Sequence, residues 1–250
     1  MDYRKIRNKY ILPGRVVSIL VAFLIIFFHW MIKDLTLQTL SILLLVVCLS
    51  IFVWFNNTKY LKRVETLIYV DMDLASLKQY IQINKNARSS KLQIDAKVIN
   101  VMYFYMIGDF DSAIQNSQEI LNDNKVKQQY KNILQNYMIR STILSRQNMD
   151  REELDSLLRG LTISDAAFAE KTKNLSRAIY DLTIAHQSND YFENDSHDYK
   201  YQQLEINYFQ AMNASIKGDI TRATDLLSQL SKEDDTLYIV RMAKNILASM

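Results

Sequence analysis

Proline is almost missing from this sequence: its one copy, Pro13, lies near the start, and only three glycines follow Gly14. Tight turns and β-hairpins draw on both residues. Their shortage over 56–250 excludes a β-rich domain and leaves helices joined by short polar connections. There is one cysteine, Cys48, so no disulfide can form within the chain. One cysteine and three scattered histidines also cannot build a zinc cluster. No Gly-rich phosphate loop, Gly-x-Ser-x-Gly, His-Glu-x-x-His or Cys-x-x-Cys occurs. The reading is therefore neither an enzyme nor a protein holding a metal or cofactor.

Charge is missing from two stretches. Val16 to Ile32 and Leu35 to Phe55 contain no ionisable acid, lysine or arginine. A helix needs roughly 20 apolar residues to cross a bilayer core, within about 17–25, and both runs qualify. Twelve residues of the first are Val, Ile, Leu or Phe, which favours insertion by about 5 kcal/mol. A soluble helix shows a polar face and these show none. No small-residue cleavage site follows the first run, which argues against a removed signal peptide. Arg4, Lys5, Arg7, Lys9 and Arg15 precede the pair, and Lys59, Lys62 and Arg63 follow it. Only Lys33 lies in the turn. Basic flanks stay inside, so the sequence predicts a basic cytoplasmic tail over 1–15, a transmembrane hairpin over 16–55 (spans 16–32 and 35–55) and a cytoplasmic domain over 56–250. Both termini are then cytoplasmic, and Trp30 and Trp54 close the spans as interfacial aromatics do. The abundance of Lys, Asn, Ile and Tyr suggests an AT-rich genome and hence a bacterial plasma membrane.

The overall net charge of +3 belongs to this topology signal. Residues 1–34 carry six basic and two acidic side chains, leaving 24 and 25 for the rest. Without a basic field, the domain is not expected to bind nucleic acid. Apolar residues recur there at helical spacing, as in Val98, Val101, Met102 and Tyr105, or Leu154, Leu157, Leu158 and Leu161. Polar clusters at 84–90, 122–125, 146–150, 187–198 and 232–235 mark the breaks. His186, Asp190, Glu193, Asp195, His197 and Asp198 sketch a hard-metal site, but no spacing matches a ligand loop, and a solvated connection is the simpler reading. Glu152, Glu153 and Glu233–Asp235 read as solvated helix starts.

Two segments align without gaps: YFYMIGDFDSAI at 103–114 and NASIKGDITRAT at 213–224. Both carry Gly-Asp-apolar-x-x-Ala, through Gly108 and Ala113 in one and Gly218 and Ala223 in the other. A weaker copy aligns Asp71, Met72 and Ala75 with Asp109, Phe110 and Ala113, and another lies near 147–154, with Gln147 in the glycine position. The Gly108 segment resembles the helix-A/helix-B turn of a tetratricopeptide repeat, in which Gly turns the chain and a small Ala lets paired helices approach. The resemblance implies an all-α fold, a right-handed α-solenoid of antiparallel helix pairs. The closing proline of that family's units is absent, and a non-repeating helical bundle is the alternative.

The same resemblance implies a partner-binding groove. Its ligand-facing positions fall on Met102, Tyr105 and Met106, on Tyr208, Met212 and Ile216, and on Tyr137 and Ser141 between. Tyrosine is a rigid amphipathic anchor and methionine an adaptable apolar surface, although the same side chains also suit a packed core. The expected function is a membrane-anchored scaffold that binds a protein or peptide. The alternative is an accessory subunit of a membrane complex assembled through the hairpin, with Gln38, Thr39 and Ser41 bonding across helices.

Overall fold

The structure is a computed structural model that describes residues 3–146, 148–197 and 199–249; among these are eleven α-helices and no strand. The chain divides into two compact units, with the boundary after Gln79.

The first unit is built on a helical hairpin. Helices α1 (Tyr3–Met31) and α2 (Leu35–Glu65) pack together across a three-residue connection. At 1.5 Å per residue they are about 43 and 46 Å long, well beyond the apolar runs. The basic stretch predicted as a tail is thus helical from Tyr3 onward and forms the first part of α1. Pro13 sits inside this helix, where it removes one N–H donor. Packing holds the segment: Tyr3 and Ile6 are buried, and the Tyr3 and Tyr60 hydroxyls share a hydrogen bond of 2.6 Å. At the opposite end, Asp34 caps α2 by accepting from the N–H groups of Thr36 (2.9 Å) and Leu37 (3.0 Å). The Gln38 amide bonds the His29 ring and donates to the His29 carbonyl at 3.1 Å. Between these clasps the large apolar side chains point away from the pair, Phe23, Leu43 and Ile51 among them.

Beyond α2 the chain makes one π turn, Thr66–Val70, and enters α3 (Leu74–Asn84). Met72 takes φ +49°, and Asp73 caps α3 by accepting from the Ser76 N–H at 3.0 Å. The turn expected at Asp71–Met72–Ala75 is therefore two residues further on, with Met72 in the glycine position and Asp73 in the capping position. Ala75 is exposed, while Leu77 fills the buried place.

The second unit contains α4 (Ser90–Ile107), α5 (Phe110–Leu121), α6 (Gln128–Ser145), α7 (Arg151–Arg159), α8 (Ala166–Thr183), α9 (Lys200–Ile216), α10 (Ile220–Leu230) and α11 (Tyr238–Ser249). Contacts run from α4 to α6, α8, α9 and α11 in turn, and α11 returns to α4. The circuit is closed. Helices α5, α7 and α10 pack against it: α5 on α4 and α6, α7 on α6, and α10 on α9 and α11. Short stripes drive this packing, such as Ala223, Leu227 and Leu230 on α10. Full burial of a leucine contributes about 1.5–3 kcal/mol.

The two Gly-Asp turns have one geometry. Gly108 and Gly218 take φ +77° and +81°. At the first, Gly108 N–H donates to Tyr105 O and Asp109 N–H to Phe104 O; at the second, Gly218 N–H donates to Ser215 O and Asp219 N–H to Ala214 O. Each pair is a Schellman closure. Asp109 and Asp219 then cap the next helix by accepting from the Ser112 (3.2 Å) and Arg222 (3.1 Å) N–H groups. Ala113 and Ala223 are fully buried. Aspartates open α7 and α8 the same way, through Asp150 and Asp165. In the copy near 147–154 the capping residue is Asp150 and the buried one Leu154; Gln147 lies outside the described residues. The surroundings of the two glycines differ. Arg241 on α11 donates to the Ile107 carbonyl at 2.7 Å, and a Cβ on Gly108 would lie 2.7 Å from Tyr238 Cδ2. A Cβ on Gly218 meets nothing within 4 Å.

Alanine at either glycine forces an L-residue into the left-handed region, at about 1–2 kcal/mol. Gly218→Ala should therefore lower unfolding stability by about that amount. Gly108→Ala should lose more, because α11 must also move. Urea titration followed by circular dichroism measures both, and equal losses would contradict the Tyr238 contact.

Candidate functional site

The second unit is organised around a charge buried among aromatic rings. Tyr105 is on α4, Tyr137 and Arg140 are on α6, and Tyr201 and Glu205 are on α9. All five are buried. Helical spacing makes the arrangement possible: 137 and 140, and 201 and 205, lie one turn apart on their helices. Arg140 and Glu205 form an ion pair. The Tyr105 hydroxyl donates to Glu205 Oε1 at 2.6 Å and accepts from Arg140 Nη2 at 2.7 Å. The guanidinium lies 4.6 Å from the centroid of the Tyr105 ring and 5.6 Å from that of Tyr137. Tyr105 also meets the rings of Tyr137 and Tyr201 edge-on, at 5.2 and 6.3 Å. From Tyr105 the aromatic contacts continue to Phe110 and then Tyr238 on α11.

Burial governs the titration of these groups. Desolvation by itself disfavours the Arg140 charge, but the Glu205 carboxylate and the surrounding tyrosines more than offset this and hold its pKa above the ordinary value. Burial pushes the Tyr105 and Tyr201 hydroxyls well up, and brings Tyr137 to about 12. Arg140 thus stays charged and the three tyrosines neutral across the physiological range. With every member in the interior, the cluster joins three helices.

Sequence reasoning placed Met102, Tyr105, Met106, Tyr137, Ser141 and Tyr208 toward a groove; all six side chains are buried within the domain. Met212 and Ile216 are half-buried. A buried side chain offers no surface to a partner unless the helices part, so the interior of the circuit is filled by its own residues. Arg140 and Glu205 were missed. Their signal was present: each is a charged residue on the tyrosine-bearing stripe of its helix, Arg140 three residues after Tyr137 and Glu205 four after Tyr201.

The acidic segment at 187–198 forms a second polar cluster. Asp190 pairs with Lys217, and Glu193 Oε2 pairs with Arg222 at 2.5 Å. The Asn213 amide bridges them, donating to Asp190 Oδ1 (2.9 Å) and Glu193 Oε1 (2.6 Å). The hydrogen bond from Lys217 holds the Asp190 carboxyl below the usual range. His197 stacks on Tyr199, and Asp198 lies outside the described residues. Among the described residues no three His, Cys, Asp or Glu converge on a metal position. In the hairpin, Gln38 bonds across to His29, whereas Thr39 and Ser41 donate to the carbonyls of Leu35 and Leu37 in their own helix.

No protein-family model matches the chain, and comparison with curated proteins and with solved structures finds no match.

Removing one partner of a buried pair leaves an uncompensated charge, at about 3–5 kcal/mol. Arg140→Met and Glu205→Gln should each destabilise the domain by that order. The double variant Arg140→Met/Glu205→Leu should recover most of the loss; additive losses in denaturant titration would show that the pair acts only through packing. Tyr137, with its pKa raised to about 12, contributes stability that is complete below about pH 10 and is lost as pH rises toward 12. Tyr137→Phe should flatten the fall in stability over that window by up to about 1.4 kcal/mol per pH unit.

Proposed function

We propose that the chain is a membrane-anchored scaffold whose helical domain is held at the cytoplasmic face of a plasma membrane and binds a protein or peptide partner. The observation that carries the anchoring is the exposure of the hairpin. Two helices long and apolar enough to span a bilayer keep almost none of their apolar windows buried, whereas a core helix of a soluble protein hides such residues. The basic residues at the start of α1 and the end of α2 support an orientation with both flanks inside.

The matched turns at Gly108 and Gly218 support a repeat-like array of helix pairs, read as a tightly wound tetratricopeptide-like set in which the last helix meets the first. Ile220 is the one strongly exposed large apolar side chain among the described residues of 80–250. A partner surface on this domain is accordingly polar, with Met212 and Ile216 at its apolar margin. Tethering raises effective concentration and strengthens binding without new contacts. The filled interior favours a second reading, an accessory subunit whose partner is met through the hairpin.

Two measurements test these readings. The full chain should stay with membranes in alkaline carbonate and need detergent for release; release by carbonate alone contradicts anchoring. Crosslinking in membranes should then compare the native chain with one carrying an unrelated two-span hairpin. A partner retained after the exchange supports the scaffold, and a partner lost with it supports the accessory subunit.

A further inference from the structure

Between α1 and α2, where the charge-free runs meet the basic flanks, lies a recess of about 150 Å³ lined by Tyr10, Gly14, Arg15, Val53, Asn56 and Asn57. We propose that it holds the phosphate of an anionic glycerophospholipid; this rests on the membrane reading above.

Depth is the first argument. Arg15 immediately precedes Val16, where one apolar run starts, and Asn56 immediately follows Phe55, where the other stops. In a spanning hairpin these residues lie at the level of lipid headgroups.

Chemistry is the second. No acidic residue lines the recess. Arg15 has no ion-pair or hydrogen-bond partner among the described residues, and a guanidinium presents a fork that fits phosphate oxygens. The Tyr10 hydroxyl and the Asn57 amide add donors with no hydrogen-bond partner of their own among those residues. Asn56 donates to the Phe52 carbonyl at 3.0 Å and so fixes the wall. Val53 supplies an apolar side for the start of an acyl chain.

Shape is the third. A Cβ on Gly14 meets nothing within 4 Å, so the space beside this glycine is open. The volume suits a phosphate with its ester oxygens and is well short of the roughly 300–1,000 Å³ of sites for larger small molecules. Lys5 and Lys9 lie further along α1 and add to the diffuse attraction for an anionic leaflet. They do not supply the recess with a ligand group.

The test uses the full chain in mild detergent, incubated with phosphatidylcholine and phosphatidylglycerol in equal amounts and read by native mass spectrometry. One phosphatidylglycerol should be retained preferentially. Arg15→Gln and Gly14→Leu, the latter filling the recess, should each lower its retention about tenfold, while Lys5→Gln leaves it unchanged. Equal loss with Lys5→Gln, or no preference in the native chain, overturns the site in favour of diffuse charge. Displacement by millimolar inorganic phosphate overturns it in favour of a small-anion site. Carbonate extraction of the same proteins separates the two readings. A chain that stays in the membrane without the preference sinks the headgroup site alone, and a chain released by carbonate sinks the hairpin reading beneath it.

Discussion

A charged pair removed from water constrains the helical domain more than any single apolar contact. Arg140 and Glu205 come from helices far apart in sequence, and Tyr105 supplies the hydroxyl that touches both. Taking two ions out of water costs several kcal/mol each unless geometry and hydrogen bonds compensate. Apolar packing tolerates a helix sliding by part of a turn. A desolvated ion pair does not, because a small displacement leaves a charge without its partner. The register of α4, α6 and α9 is thereby fixed at one point, and the aromatic contacts through Phe110 carry that register to α11.

How much of this was legible depended on whether the local pattern had one physical meaning. The hairpin was legible because long runs without charge have few alternatives in water. The exception was its basic start: the charged stretch was expected as a tail, yet it is helical, with Tyr3 and Ile6 buried and Tyr3 bonded to Tyr60. The Gly-Asp turns were legible because a left-handed position and an adjoining aspartate cap leave a residue-level mark. Where glycine was missing the mark blurred. At Met72 the motif was placed two residues early, since nothing in a methionine announces φ +49°.

The interior was not legible. Tyrosines and methionines at helical spacing look the same whether they line an open groove or fill a core. What separates the cases is whether the helices close on themselves, and that is decided by contacts such as α11 on α4. Arg140 and Glu205 carried the missing information, for a charged residue within an aromatic stripe needs a partner. Neither residue identifies that partner from its own surroundings.

The contact of Arg241 with the Ile107 carbonyl joins positions 134 apart in the chain. On a ribosome adding roughly 5–20 residues per second, α4 waits on the order of ten seconds for the helix that covers its end. During that interval the hairpin is already made, while the tyrosines of α4 and α6 still lack their counterparts from α9. Synthesis therefore orders events in a way the finished fold conceals: under the proposed anchoring, the chain would be fastened to a membrane before its helical circuit had been shut.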